Sequence, residues 1–146
     1  MTGISPKLRL LVPSLALVSL AAGSAACSGT PRIALDPPEA RLSPMFMGVC
    51  SIFMRIANPG DGDDTLVDAQ VDVPGATAQI HTFEHGRMVQ AEKLVVPAKG
   101  ALELRPGGPH IMLFNLPKDS GAGYTFTLRL RFERSGELQT PVKISG

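Results

Sequence analysis

Histidine is scarce in this 146-residue chain: His81, His85 and His110 are the only three. Met88 and Met112 lie close to them in sequence. His110 and Met112 are separated by one residue, and six residues separate His81 from Met88. Thioether sulfur is soft and uncharged, and imidazole is a borderline ligand. A set built from both selects copper(I), whereas hard ions want carboxylates and zinc usually takes thiolates, imidazoles or carboxylates. In an oxidising compartment Met and His also avoid the disulfide formation that threatens a thiolate pair. For His110-Ile111-Met112 taken alone, the ordinary reading is structural: a methionine on a strand usually fills core.

The elements that must position these residues read as strands. Val49–Ala57 alternates and stops at the turn cluster Asn58-Pro59-Gly60-Asp61-Gly62-Asp63. Thr65–Val73 alternates and stops at Pro74-Gly75. Thr77–Phe83 and Arg87–Gln90 flank Glu84-His85-Gly86, Lys93–Val96 ends at Pro97, and Ala101–Arg105 ends at Pro106-Gly107-Gly108-Pro109. His110–Leu116 is mostly apolar. In Tyr124–Glu133, residues Tyr124, Phe126, Leu128, Leu130 and Phe132 share one face, and Leu138–Ile144 closes the domain. Helical periodicity is absent from residue 39 onward, so many short strands with regular turn signals predict an all-β antiparallel sandwich. Alternation puts His110 and Met112 on one face of their strand. For His81 and Met88 the register stays open. A four-residue loop, Phe83–Gly86, pairs His81 with Met88 on one face; a three-residue loop, Glu84–Gly86, sets them on opposite faces.

The N-terminus reads as a targeting segment. Lys7 and Arg9 precede an apolar run from Leu10 to Ala22 that Pro13 and the serines interrupt, too short for a comfortable membrane span. Gly23-Ser24-Ala25-Ala26 and then Cys27 follow, a layout that resembles the lipobox of bacterial lipoproteins, with Ser24 where most have Leu. That resemblance implies a signal peptide over 1–26, acylation of Cys27 and a tether over 27–38 rich in Ser, Thr, Gly and Pro. The domain proper is then 39–146. Taking Lys7 and Arg9 from the 14 basic residues leaves 12 against 13 acidic ones. That balance excludes the basic footprint of a nucleic-acid binder. With Cys27 acylated, Cys50 reads as a buried free thiol on an apolar strand face; a Cys27–Cys50 disulfide is the alternative.

From about Glu39 to the C-terminus the chain resembles the PCu(A)C copper chaperones. Phe53-Met54-Arg55-Ile56-Ala57-Asn58-Pro59-Gly60 and Asp64-Thr65-Leu66-Val67 look like that family's opening, and Leu104-Arg105-Pro106-Gly107-Gly108-Pro109-His110-Ile111-Met112-Leu113 like its most distinctive block. Twenty-one residues separate Met88 from His110, as in the family's M-x21-H-x-M pattern. Met88, His110 and Met112 match residue by residue. His81 stands where the family has its first ligand, but six residues rather than ten precede Met88, which brings His85 into contention. The resemblance implies a cupredoxin-like sandwich holding one copper(I) on His81, Met88, His110 and Met112, with no substrate turnover. It implies delivery to a copper-accepting protein, such as the binuclear copper centre of cytochrome c oxidase, or work beside a Sco-type thiol protein. Met45 and Met47 are candidates for an auxiliary copper contact, or else pack at the start of the domain.

Other functions make different demands. A blue-copper electron carrier needs a Cys ligand beside two His. Here Cys50 lies early, on a core-facing strand, and the usual late Cys-x-x-His-x-x-Met type of loop is missing. A copper-free envelope lipoprotein used for adhesion or assembly would bind no metal. An enzyme fits least: no Ser/His/Asp order, phosphate-binding Gly loop or conspicuous carboxylate pair stands out.

Overall fold

The computed structural model describes residues 29–145. The expected signal peptide and Cys27 lie outside the described residues. In chain order the strands are β1 (Ala34–Leu35), β2 (Glu39–Leu42), β3 (Cys50–Asn58), β4 (Asp64–Val71), β5 (Thr77–Glu84), β6 (Arg87–Gln90), β7 (Leu94–Val96), β8 (Gly100–Leu104), β9 (His110–Phe114), β10 (Thr125–Phe132) and β11 (Gly136–Ser145). The all-β antiparallel expectation holds. Among the described residues no helix is long and apolar enough to cross a membrane.

Strand β3 organises one layer. Its first half pairs with β2 and β9, and its second half with β1 and β8. Beyond β9 the layer continues through β5 to β6. The other layer runs β11-β10-β4-β7. Strand β11 joins the two: it pairs with β10 along its length, and its last residues run parallel to β2. Period-two alternation sends one side of each strand inward. Ile52, Ile56, Leu66, Ile111, Leu113, Leu128, Leu130 and Ile144 are fully buried, each worth roughly 1.5–3 kcal/mol of burial. The scarcity of aromatics thus yields a mainly aliphatic core, with Phe126 and Phe132 contributing from β10.

Cys50 points into this core as a free, fully buried thiol. Burial pushes its pKa up to about 11, against a small opposing effect of a backbone hydrogen bond at Arg41. The thiol therefore stays protonated and inert, on the side of β3 away from Ser51 and Phe53.

The tether reading of residues up to 38 needs correction for 29–38, which belong to the folded body. Ala34 and Leu35 pair with Ala57 and Ile56. The buried Asn58 is the physical reason: its Oδ1 accepts from the backbone N–H of Arg32 at 3.0 Å and of Gly60 at 3.1 Å. Its Nδ2 donates to the carbonyls of Gly62 at 2.8 Å and Val96 at 3.2 Å. Arg134 donates to the carbonyls of Asp63 and Gly29 at 2.8 and 2.6 Å. Gly60 is required by close approach, since a Cβ there would come within 2.3 Å of the Thr30 carbonyl oxygen. The small residues read as flexibility permit backbone-to-backbone packing instead.

Candidate metal centre

In β9, Ile111 and Leu113 face the core, so His110, Met112 and Phe114 line the opposite face. In β5, Ile80 faces the core and Gln79, His81 and Phe83 the other side. The β5–β9 register sets Gln79 opposite Met112 and His81 directly opposite His110. Directly opposed residues share a face, and the two imidazole centroids lie 6.0 Å apart.

The β5–β6 hairpin differs from both loop lengths expected from sequence. Its loop is the two-residue turn His85-Gly86, with φ of 50° and 76°, the pair of left-handed residues that a type I′ turn requires. Phe83 consequently pairs with Met88, and His81 with Gln90. Met88 stands two positions along from where the four-residue loop would put it. A two-residue shift preserves side-chain parity where a one-residue shift reverses it. His81 and Met88 therefore do share a face, as diagonal neighbours. His85 sits in the turn, exposed, beyond that face. Met45 and Met47 lie in the β2–β3 connection, 81% and 87% exposed, which rules out the reading that they pack at the start of the domain.

The resulting face has a graded depth. His110 is buried, His81 and Met112 are half-buried, and Met88 is 47% exposed. Aromatic rings enclose the deep end: Phe53 and Phe83 lie 5.9 and 6.2 Å from the His110 ring, and Phe114 lies 6.1 Å from His81. The Arg41 guanidinium covers Phe53 at 5.7 Å. Sequence reasoning missed these rings. Phe83 and Phe114 sit at even spacing from His81 and His110, so strand period alone would have found them; Phe53 needs the β3–β9 register.

His110 is oriented by the turn that precedes it. Arg105 N–H donates to Pro109 O at 2.8 Å, Gly108 N–H donates to Arg105 O at 3.0 Å, and Gly107 has a φ of 75°. The Gly108 carbonyl lies 2.9 Å from His110 Nδ1. A carbonyl only accepts, so Nδ1 carries a proton, and in the neutral ring the lone pair is on Nε2. His81 Nε2 lies 3.0 Å from Gln79 Oε1, while its Nδ1 is buried without a partner. Burial first, and then the nearness of His110, lower the His81 pKa from its ordinary 6.5. Both effects favour the neutral imidazole, the form that binds metals.

The face thus offers imidazole nitrogens and two thioethers, ligands that carry no negative charge, in an apolar setting. That donor set fits a soft monovalent cation. Among the described residues no group of three or more His, Cys, Asp and Glu side chains is placed to hold a metal ion. The thiolate of a blue-copper centre is also missing from this face, because Cys50 points the other way.

Residues 33–144 match the family model described as "Putative lipoprotein LpqE-like". The "Putative lipoprotein Lxx21020" of Leifsonia xyli subsp. xyli (strain CTCB07) is 31% identical over 103 residues, which cover 66% of this chain. The match spans 61% of that curated relative's length. Among solved structures, the apo PCuAC domain from PmoF1 is 27% identical with a TM-score of 0.68, covering 78% of this chain and 93% of that one. The copper-bound PCuAC domain from PmoF2 is 21% identical with a TM-score of 0.63, covering 78% and 92%. The solution structure of CuI-DR1885 from Deinococcus radiodurans is 23% identical with a TM-score of 0.58, covering 85% and 83%. The latter two show a shared fold, the cupredoxin-like sandwich expected from the sequence.

Proposed function

The chain belongs to the LpqE-like family, and from that footing we propose that it is a copper(I) chaperone of the bacterial cell envelope. In this reading the chain is no enzyme. Copper(I) is its cargo, held by His81, Met88, His110 and Met112. The observation that carries it is the register of β5 and β9, which sets two histidines directly opposite each other with both thioethers on the same face. The copper-bound domain from PmoF2 and the CuI form of DR1885 share this fold and support copper as the ion.

The depth gradient suits a carrier. His110 anchors the ion at the enclosed end, and the exposed Met88 thioether is the ligand an incoming group displaces first. Four neutral ligands leave the positive charge of copper(I) uncompensated. An acceptor's thiolates neutralise it, so transfer to them runs downhill. The recipient in this proposal is an oxidase subunit carrying a binuclear copper centre, or a Sco-type thiol protein. Export by residues 1–26 and acylation at Cys27 would keep the domain at a membrane surface.

Anaerobic copper(I) titration of residues 28–146 against a chromophoric competitor tests the reading. We expect one tightly held, colourless copper(I) per domain and its loss in the double variant His110→Ala/Met112→Leu. Met112→Leu roughly conserves volume, so the fold should survive. Unchanged affinity in the double variant would overturn the ligand assignment. Blue absorbance on oxidation would point to an electron carrier instead. For the anchor, Cys27→Ser should move the protein from the membrane to the soluble fraction. Full membrane retention of that variant would contradict acylation as the tether.

A further inference from the structure

The two histidines of the site are held by different partners. His110 is fixed by a main-chain carbonyl, which no side-chain substitution removes. His81 is fixed by a side chain, Gln79, two residues earlier on the same face of β5. We propose that Gln79 is a positioning residue: its Oε1 locks His81 in the tautomer protonated at Nε2, so that His81 offers Nδ1 to the cargo while His110 offers Nε2.

Three observations converge on this assignment. The Gln79 oxygen stands 3.0 Å from His81 Nε2, and an amide oxygen only accepts, so that nitrogen carries the proton. The opposite nitrogen, Nδ1, is buried and has no hydrogen-bond partner. A buried ring nitrogen without a partner costs free energy comparable to a lost hydrogen bond, unless a ligand satisfies it. Finally, the register sets Gln79 directly opposite Met112, so the residue that braces the histidine stands on the same face as a candidate thioether ligand.

Ligation through Nδ1 has a geometric consequence. Nδ1 is bonded to the ring carbon that carries the side chain, so an ion bound there sits nearer the main chain than one bound at Nε2. Ligation through Nδ1 of His81 therefore holds the ion close to β5. Were the ring in the other tautomer, its lone pair would fall at Nε2, beside the Gln79 amide. Partners that orient ligating histidines in this way are typically worth about 10–100-fold in metal affinity.

The ligand role of His81 rests on the chaperone reading; the tautomer does not, and the test separates them. In metal-free 15N-labelled protein at pH 7.5, long-range proton–nitrogen correlation spectra report each ring nitrogen directly. We expect His81 to show a protonated Nε2 and a bare Nδ1, and Gln79→Leu to give a mixture of tautomers. Gln79→Glu keeps an acceptor oxygen and should restore the parent pattern. Copper(I) affinity measured on the same samples should fall about 10–100-fold in Gln79→Leu and recover in Gln79→Glu. A bare Nε2 on His81 in the parent, or a Gln79→Leu tautomer identical to the parent's, overturns the proposal. If the expected tautomers appear but the parent takes up no copper(I), the chaperone reading fails while Gln79's hold on His81 stands. A tautomer change without loss of affinity confirms that hold and removes His81 from the ligand set.

Discussion

His81 is half-buried beside a second imidazole, and both facts act against its protonation. Burial contributes most and His110 adds to it, so the pKa falls below 6.5. The sign has two consequences. In the unfolded chain the ring takes a proton near pH 6.5, whereas the folded domain resists until lower pH. The stability His81 contributes is therefore complete above pH 6.5 and is lost as pH falls from there through the folded value. The second consequence bears on copper. Proton competition at His81 sets in at lower pH than at an ordinary imidazole, so mild acid should weaken copper(I) binding at this ring less than the sequence alone suggests. A pH titration of the metal-free protein by NMR checks this, and a His81 midpoint at or above 6.5 would contradict it. That His110 and Met112 share one strand face was legible beforehand. The motif His110-x-Met112 and the strand period sufficed for the face, because alternation is a local property of the chain. The depth was not legible, since Phe53 reaches His110 only through the pairing of β3 with β9.

At the scale of elements, the β5–β6 hairpin decides whether Met88 belongs to the site. Loop length could not be read from Phe83-Glu84-His85-Gly86, because it depends on whether His85 accepts a left-handed backbone. It does, with a φ of 50°, followed by Gly86 at 76°. A residue with a Cβ in that conformation costs roughly 1–2 kcal/mol, so Gly86→Val should destabilise the hairpin by about that much. His85→Asn should leave both stability and copper(I) affinity nearly unchanged, since Asn is well suited to this turn and His85 lies beyond the face that carries His81 and Met88. The register itself is tested by inserting one glycine between His85 and Gly86. Where the insertion slips β6 by one residue, it turns Met88 to the opposite face. We expect that variant to match Met88→Leu in copper(I) titration. Parent affinity in the insertion variant, with NMR showing β6 slipped by one residue, would show that the thioether is dispensable.

At the scale of the whole molecule, the course of residues 29–38 fixes how the domain can be presented. Composition suggested a flexible tether because Gly, Ser, Thr and Pro are common in linkers, and composition carries no record of the buried Asn58 whose amide needs partners. Residues 29–32 instead lie against the turn after β3, with Gly29 held by Arg134 and Arg32 by Asn58, and Ala34 and Leu35 pair with β3 itself. If Cys27 is the acylated residue, the two residues from it to Gly29 span at most about 7 Å. The Asn58 and Arg134 end of the sandwich would then rest near the lipid surface, and the face that carries His81 and His110 would be held at a set height rather than on a long leash. The pairing of residues 29–38 with the body sets the effect of truncation. Starting the protein at residue 39 removes the β1–β3 pairing, the packing of Ile33 and Leu35 against the core, and the bond from Arg32 to Asn58. Two partly buried aliphatic side chains and a lost buried hydrogen bond amount to about 3–5 kcal/mol, a large share of the roughly 5–15 kcal/mol that stabilises a typical domain. Urea unfolding of residues 29–146 and 39–146 side by side measures it. The shorter protein should unfold at much lower urea or fail to fold, and equal midpoints would return residues 29–38 to the status of a linker.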